Sequence, residues 1–160
     1  MLNVTLIAVG KLKERYLTDA CAEYEKRLGA YCRLRVVEVD EYRLPQNPAE
    51  AQVQAGSEAE GKEILAKIPA GSYLIPLCIE GKQISSDELA QFLADRANSG
   101  AGDVAFVIGS SHGLSDEVKK AAALKFSMGR ITMPHQLARL VLTEQIYRAC
   151  TINVGMKYHK

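Results

Sequence analysis

The sequence has 160 residues, of which 48% are hydrophobic and 24% are charged. This length is typical of one domain with its own core, and the composition excludes a disordered or fibrous chain. The apolar runs are far shorter than the roughly 20 residues of a membrane span, and the amino-terminal residues do not resemble a signal peptide. We therefore expect a single cytoplasmic domain over residues 1–160.

The hydrophobic pattern alternates between strand and helix along the chain. It predicts, in chain order, a strand at Asn3–Val9, a helix at Glu14–Leu28, a strand at Leu34–Val39, a helix at Ala49–Ile68, a strand at Tyr73–Ile79, a helix from Ser85 to about Asn98, a strand at Asp103–Gly109, a helix after Ser115, a short strand at Lys125–Met128 and a long helix at His135–Ile152. This alternation predicts an α/β fold, a mostly parallel sheet with helices on both faces.

Several residues bear on where these elements end or break. Ser85 and Glu88 form the signature of a capping box. Gly56 and Gly61 predict that the second helix could be interrupted. Pro76 has no N–H to donate to a ladder, so we expect it at an edge strand or at an unpaired strand end.

The charges are unevenly divided along the chain. Residues 1–118 carry 12 Lys/Arg and 18 Asp/Glu, a net charge of −6, whereas residues 119–160 carry eight basic residues against Glu144, a net charge of +7. Lys11, Lys13 and Arg15 add a second basic group after the first strand. Such asymmetry indicates an anionic partner, of which nucleic acid is the natural candidate. The alternative is that the charges balance in three dimensions.

Cysteine spacing gives no sign of a metal site or a disulfide scaffold. The four cysteines, Cys21, Cys32, Cys78 and Cys150, show no C-x-x-C spacing. We therefore expect reduced, mostly buried thiols and no bound metal.

Ligands of parallel α/β sheets bind beyond the carboxyl ends of the strands. Three loops lie there in the predicted fold, at 77–82, 109–113 and 129–134. None has the Lys-Ser/Thr of a phosphate-binding P-loop. The third loop combines Gly129 with Ile131 and Met133, and it predicts an apolar slot for a flat ring such as adenine. His135 follows at a helix amino terminus, as a cap or a functional group, and Arg139 lies on the same helical face.

Residues 109–113 also match G-x-S-x-G, the nucleophile-elbow pattern of α/β-hydrolases. Asp116, His135 and His159 follow Ser111 in the chain order of a Ser–Asp–His triad. Two features argue against this reading. Ser115 is the predicted helix cap, which leaves Ser111 in a loop, and the chain is short for that fold.

The chain ends in a polar, aromatic segment at residues 155–160, which begins with a glycine. Terminal residues are usually frayed, and the pattern alone favours that interpretation. Tyr158, His159 and Lys160 could instead fold over a bound base through stacking and phosphate contact.

Four segments together resemble a known family: LIAVGKLKERYLTDACAEYEKRL near the amino end, FVIGSSHGL, ITMPHQLARLVLTEQIYRA and the terminal YHK. They are similar to the bacterial large-subunit ribosomal RNA pseudouridine-N3 methyltransferases (the RlmH family) of the SPOUT superfamily. The resemblance covers essentially the whole chain. It implies a carboxyl-terminal trefoil knot, a homodimer, S-adenosylmethionine as methyl donor without a metal, and a pseudouridine of 23S ribosomal RNA (pseudouridine 1915, in the helix 69 region) on the assembled ribosome as target.

The resemblance also implies roles for individual residues. The methyl-donor site would use Leu77, Gly109, Met128, Gly129, Arg130, Ile131, Thr132 and Met133. The catalytic residues around the target base would be His135, Arg139, Tyr158 and His159. This chain departs from the family at two positions. Ser110 replaces a usual glycine, which bears on how closely the loop backbone can approach the cofactor. Lys157 replaces a usual proline, which bears on how strongly the conformation of the tail is fixed in advance.

Methylation at N3 of a uracil-type ring removes an N–H proton, so it needs a base and cationic support for the ring anion. Arg139 suits the second role, and His135 or the Tyr158–His159 tail suits the first. An RNA-associated binding module without turnover is the alternative. The last helix is apolar on several faces, which favours either pairing with a second chain or burial within one subunit.

Overall fold

The computed structural model describes residues 1–100 and 102–160, which contain five strands and five helices in alternation. The strands are β1 (Leu2–Val9), β2 (Cys32–Val39), β3 (Tyr73–Gln83), β4 (Asp103–Ile108) and β5 (Phe126–Ser127), and the helices are α1 (Arg15–Leu28), α2 (Glu50–Lys67), α3 (Ser86–Asn98), α4 (Asp116–Ala121) and α5 (His135–Asn153). In this part of the chain, no helix combines the length and the apolar character needed to cross a bilayer.

The strands form one parallel sheet in the order β2-β1-β4-β3-β5. β4 lies at the centre and pairs with β1 from Asn3↔Asp103 to Ala8↔Ile108, and with β3 on its other side. The predicted α/β fold is therefore confirmed. The trefoil knot implied by the resemblance stays a prediction.

Both faces of the sheet are covered by helices, as the apolar pattern of β4 predicts. Phe106 is fully buried among side chains of α1, α3 and α5, including Leu28, Leu93 and Leu142. On the opposite face, Val107 packs among side chains of α2 and α4, such as Ile64 and Val118. Burial of each such side chain stabilises the fold by roughly 1.5–3 kcal/mol.

The predicted helix caps are confirmed. The Glu88 N–H donates to Ser85 Oγ over 3.1 Å, and the Ser85 N–H donates to the Glu88 carboxylate over 2.6 Å. At α4, Ser115 Oγ accepts a hydrogen bond from the Val118 N–H. Since Ser115 caps this helix, Ser111 lies in the preceding turn.

The expected edge position of Pro76 is wrong, because β3 is longer than predicted and lies between β4 and β5. Pro76 is the last residue of β3 in register with β4, opposite Val107, and Leu77 is the first residue opposite β5. The backbone N–H that proline lacks would lie at the point where β3 stops pairing with β4 and begins to pair with β5. β5 has only two residues, fewer than the predicted four.

The possible interruption of α2 does not occur, because its two buried glycines are sites of close packing. A β-carbon at Gly56 would lie 2.9 Å from Cδ1 of the Tyr42 ring, and one at Gly61 would overlap the Ser115 hydroxyl. Both glycines therefore allow segments that follow β2 and β4 to approach the helix.

This packing gives a test of the α2–α4 contact. We expect Gly61→Ala to lower the free energy of unfolding by about 1–3 kcal/mol, since the new methyl group overpacks against Ser115. In a Ser115→Gly background the same change should raise the free energy of unfolding, because the higher helix propensity of alanine then acts alone. Chemical denaturation of the four proteins measures this difference, and equal effects in both backgrounds would contradict the proposed clash.

Candidate functional site

The second half of β3 and the loops after β4 and β5 surround a cavity of about 750 Å³. This volume lies within the usual range for small-molecule and cofactor sites. Because the three strands are parallel neighbours in the sheet, their carboxyl ends meet at one edge. The three segments chosen from the sequence therefore come together in space, but residues 77–82, predicted as a loop, belong to β3.

Most of the residues predicted to hold a cofactor line this cavity. They are Leu77, Gly109, Met128, Gly129, Ile131, Thr132 and Met133. Arg130, the remaining predicted residue, is exposed and is not part of the wall.

The loop that follows β5 is shaped by a serine and a glycine. Ser127 is buried, and its hydroxyl donates to the Ile79 carbonyl over 2.9 Å while the Gly129 N–H donates to the same hydroxyl over 3.2 Å. Gly129 has φ +115°, a conformation that side chains with a β-carbon rarely adopt. This geometry leaves Ile131 81% exposed at the cavity wall.

The loop after β4 makes a tight turn that a buried carboxylate holds in place. The Gly113 N–H donates to the Ser110 carbonyl over 2.9 Å. The Ser110 hydroxyl donates to the buried Glu60 of α2 over 3.0 Å, and the other oxygen of Glu60 accepts from the Tyr42 N–H over 2.8 Å. Sequence reasoning missed Glu60; an acidic residue directly before the packed Gly61 is the one local signal of it.

Gly109 allows the loop after β4 to pack closely against itself. A β-carbon there would lie 2.8 Å from the Leu114 side chain and 3.0 Å from the Gly113 carbonyl carbon. A larger residue at Gly109 would therefore distort the turn and would not place a side chain in the cavity.

The hydrolase alternative finds no support in the position of Ser111. Ser111 is exposed in the turn before α4, and Asp116 begins α4. Within residues 1–100 and 102–160, neither side chain makes a hydrogen bond with a histidine. A catalytic triad needs hydrogen bonds between serine, histidine and carboxylate, so the structure does not support a triad at Ser111.

His135 and Arg139 lie on one face of α5, but only His135 lines the large cavity. Both residues border a small adjoining cleft with Gly10. Arg139 is 7% exposed, and its guanidinium donates to Glu38 over 2.9 Å, while its Nε–H has no hydrogen-bond partner among the described residues. Arg139 is thus a buried, paired cation behind His135.

The carboxyl-terminal tail is ordered against its own chain, so the expectation of a frayed end is wrong. The Tyr158 hydroxyl donates to Glu144 over 3.0 Å and lies 3.3 Å from the hydroxyl of Tyr24. Its ring lies 4.9 Å from that of Tyr147 and 4.8 Å from the Arg148 guanidinium. Burial and these hydrogen bonds raise the pKa of Tyr158, so its phenol stays protonated at neutral pH.

His159 lies beside the same cluster. Its Nδ1 is 3.3 Å from an Arg148 nitrogen, and its Nε2 is 3.5 Å from the Asp87 carboxylate. Neither Tyr158 nor His159 lines the cavity of its own chain. The four predicted catalytic residues are therefore not assembled within one subunit.

The cavity also contains an ion pair that the sequence did not reveal. The Lys119 ammonium lies 2.7 Å from the Glu80 carboxylate, and both side chains line the wall. The hydrogen bond from Lys119 lowers the pKa of Glu80 and raises that of Lys119. Both groups are charged at neutral pH.

Part of the basic excess of residues 119–160 is neutralised in three dimensions. Lys119, Arg139 and Arg148 form ion pairs with Glu80, Glu38 and Glu144. The other basic residues of this segment are exposed: Lys120, Lys125, Arg130, Lys157 and Lys160. These exposed charges are the ones available to an anionic partner.

The four cysteines are free and buried, as predicted. A hydrogen bond from the Cys150 thiol lowers the pKa of Cys32. Among the described residues, no three His, Cys, Asp or Glu side chains cluster as metal ligands would.

Comparison with solved structures finds chains with a similar fold. The chain superposes on a probable methylase family protein from Haemophilus influenzae with a TM-score of 0.53 and 17% identity, covering 99% of this chain and 70% of that one. A putative methyltransferase from Legionella pneumophila, solved with the bound cofactor SAM, gives a TM-score of 0.50 and 13% identity, covering 92% of this chain and 66% of that one. At these identities the likeness shows a shared fold.

Sequence comparison is more specific. The chain is 50% identical to the ribosomal RNA large subunit methyltransferase H of Ligilactobacillus salivarius and 51% identical to that of Leuconostoc mesenteroides, in each case over 99% of this chain and 100% of the relative. Residues 2–159 match the family model described as "Predicted SPOUT methyltransferase". The chain therefore belongs to the SPOUT methyltransferase family.

Proposed function

We propose that the protein transfers a methyl group from S-adenosylmethionine to N3 of a pseudouridine in 23S ribosomal RNA, at position 1915 in the helix 69 region. The observation that carries the proposal is the cavity at the carboxyl ends of β3, β4 and β5, whose wall contains nearly all the predicted cofactor residues. Relatives that match over the full chain are named for methylation of large-subunit ribosomal RNA.

The cavity wall suits S-adenosylmethionine. Leu77, Phe126, Met128 and Met133 supply apolar surface for the adenine ring, and the turns around them supply main-chain donors and acceptors. The structural neighbour from Legionella pneumophila binds the same cofactor. When bound, the cofactor supplies a methyl group on a cationic sulfur, so the transfer needs no metal.

The residues of this chain would handle the proton and charge of the target ring. His135 lines the cavity wall and would take the N3 proton as a general base. Tyr158 suits that role less well, because its raised pKa keeps it protonated; it would donate a hydrogen bond instead. Arg139 lies behind His135 and would stabilise negative charge on the ring through a small movement from Glu38.

A homodimer would complete the site. Tyr158 and His159 lie outside the cavity of their own chain, so their proposed role at the target base requires the cavity of a second chain. Leu137 is an exposed apolar residue on α5, and Leu140 and Val141 are half-buried beside it, which suits a partner surface. Leu142 and Ile146, in contrast, are already buried within one subunit.

The proposed partner is ribosomal RNA within the ribosome, which also places the enzyme in the cytoplasm. The exposed basic residues of the last 42 positions would contact phosphates, and binding should weaken as salt rises. Pairing of two chains would double this positive surface. An RNA-binding module without turnover would share the surface but would not use the cavity.

Cofactor binding can be tested at Ile131. We expect Ile131→Ala to weaken S-adenosylmethionine binding about tenfold, since the ligand loses an apolar wall contact. Thermal stability should be unchanged because the side chain is 81% exposed. The matched control is Val154→Ala, an exposed apolar residue outside the cavity. Calorimetry that detects binding of ATP but not of S-adenosylmethionine would refute the cofactor assignment.

Methyl transfer can be tested at two histidines. We expect His135→Ala to slow methylation of large ribosomal subunits about a hundredfold or more, as loss of a general base does. His112→Ala is the matched control, because His112 is exposed and does not line the cavity. Ser111→Ala should also retain activity. Nucleoside mass spectrometry reports the product, and no product with the wild-type protein would favour the binding module.

Sharing of the site between subunits can be tested by mixing variants. Thr132→Trp blocks the cavity from an exposed position, and His159→Ala removes the tail imidazole. Each variant should be inactive alone. An equal mixture should recover about a quarter of the wild-type activity, since about half of its dimers are mixed and each mixed dimer has one intact site of two. No recovery in mixed dimers, or a fully active monomer in sedimentation, would contradict a shared site.

A further inference from the structure

Glu80 and Lys119 form the ion pair at the cavity wall. Glu80 lies in β3 between Leu77 and Lys82, where the register with β5 shifts, and Lys119 lies in α4. In residues 1–100 and 102–160, this is the one ion pair whose two members both line the cavity. Apart from His135, the rest of the wall has no ionisable side chain other than the thiol of Cys78.

The pair is held weakly enough to exchange partners. The side chains of Lys119 and Glu80 are 31% and 48% exposed, and ion pairs at such positions contribute only about 0–1 kcal/mol. A ligand that offers a charge to each member could therefore separate them at small cost. Each of the two side chains would then face an opposite charge on the ligand in place of the other side chain.

We infer that Glu80 and Lys119 bind the α-amino-acid end of the methyl donor, Lys119 its carboxylate and Glu80 its ammonium group. The inference rests on the proposed function and assigns a specificity role to two further residues. An α-amino acid is a zwitterion, and an adjacent carboxylate and ammonium offer it two complementary charges. Most of the remaining wall is apolar and suits the adenosine end.

Two ligands, one with and one without the amino-acid end, distinguish binding of that end by Glu80 and Lys119 from a general change in the shape of the cavity. S-adenosylhomocysteine carries the amino-acid end, whereas 5′-methylthioadenosine has the same adenosine and thioether without it. We expect Lys119→Met and Glu80→Gln each to weaken S-adenosylhomocysteine binding about tenfold, the usual effect of one charge-assisted hydrogen bond. Their affinity for 5′-methylthioadenosine should stay within about twofold of the wild type.

The matched control is Lys120→Met, which removes the same charge from the next residue of α4, an exposed position outside the cavity wall. Calorimetry with each ligand should show no change for this variant. Equal losses for both ligands, or no loss for either, would overturn the inference while leaving the proposed function intact. Wild-type protein that binds no S-adenosylmethionine at all would overturn both.

Discussion

The structure depends on the placement of β4 at the centre of a parallel sheet. β4 pairs with β1 on one side and β3 on the other, and helices cover both of its faces. Since every neighbour runs in the same direction, the loops after β3, β4 and β5 must leave the sheet at one end. The cavity is a consequence of this pairing, and a ligand there contacts segments far apart in the sequence.

The region around α2 links that core to the cavity. Glu60 holds both Ser110, in the loop after β4, and Tyr42, in the segment after β2. Gly61 lets the same helix lie against Ser115, the cap of α4. A buried carboxylate is costly unless its oxygens are hydrogen-bonded, and both oxygens of Glu60 are. The turn at residues 109–113 is therefore positioned by α2, which packs on the face of the sheet that carries Val107.

Local patterns predicted what depends on local chemistry. The apolar run of β4 predicted burial on both faces, and Ser85 and Ser115 predicted helix caps. The parallel topology predicted which three segments would meet, although residues 77–82, predicted as a loop, belong to β3. Features that depend on distant partners were missed: Glu60 bonds a residue 50 positions away, and Tyr158 contacts Tyr24 across 134 positions. Pro76 was predicted at an edge strand or at an unpaired strand end, and the sequence did not predict that β3 changes neighbour within its length.

The tail shows how charge and order are combined at the carboxyl end. Glu144 is the one acidic residue among positions 119–160, and it accepts hydrogen bonds from Tyr158 and Arg148 at the point where the tail meets α5. This local neutralisation lets Tyr158 pack among the rings of Tyr24 and Tyr147 despite the surrounding basic residues. Ordering of a side chain at an interface costs about 0.5–1.5 kcal/mol. Because the tail is already ordered in a single chain, that cost would not weaken the contact with a second subunit or with RNA that we propose for it.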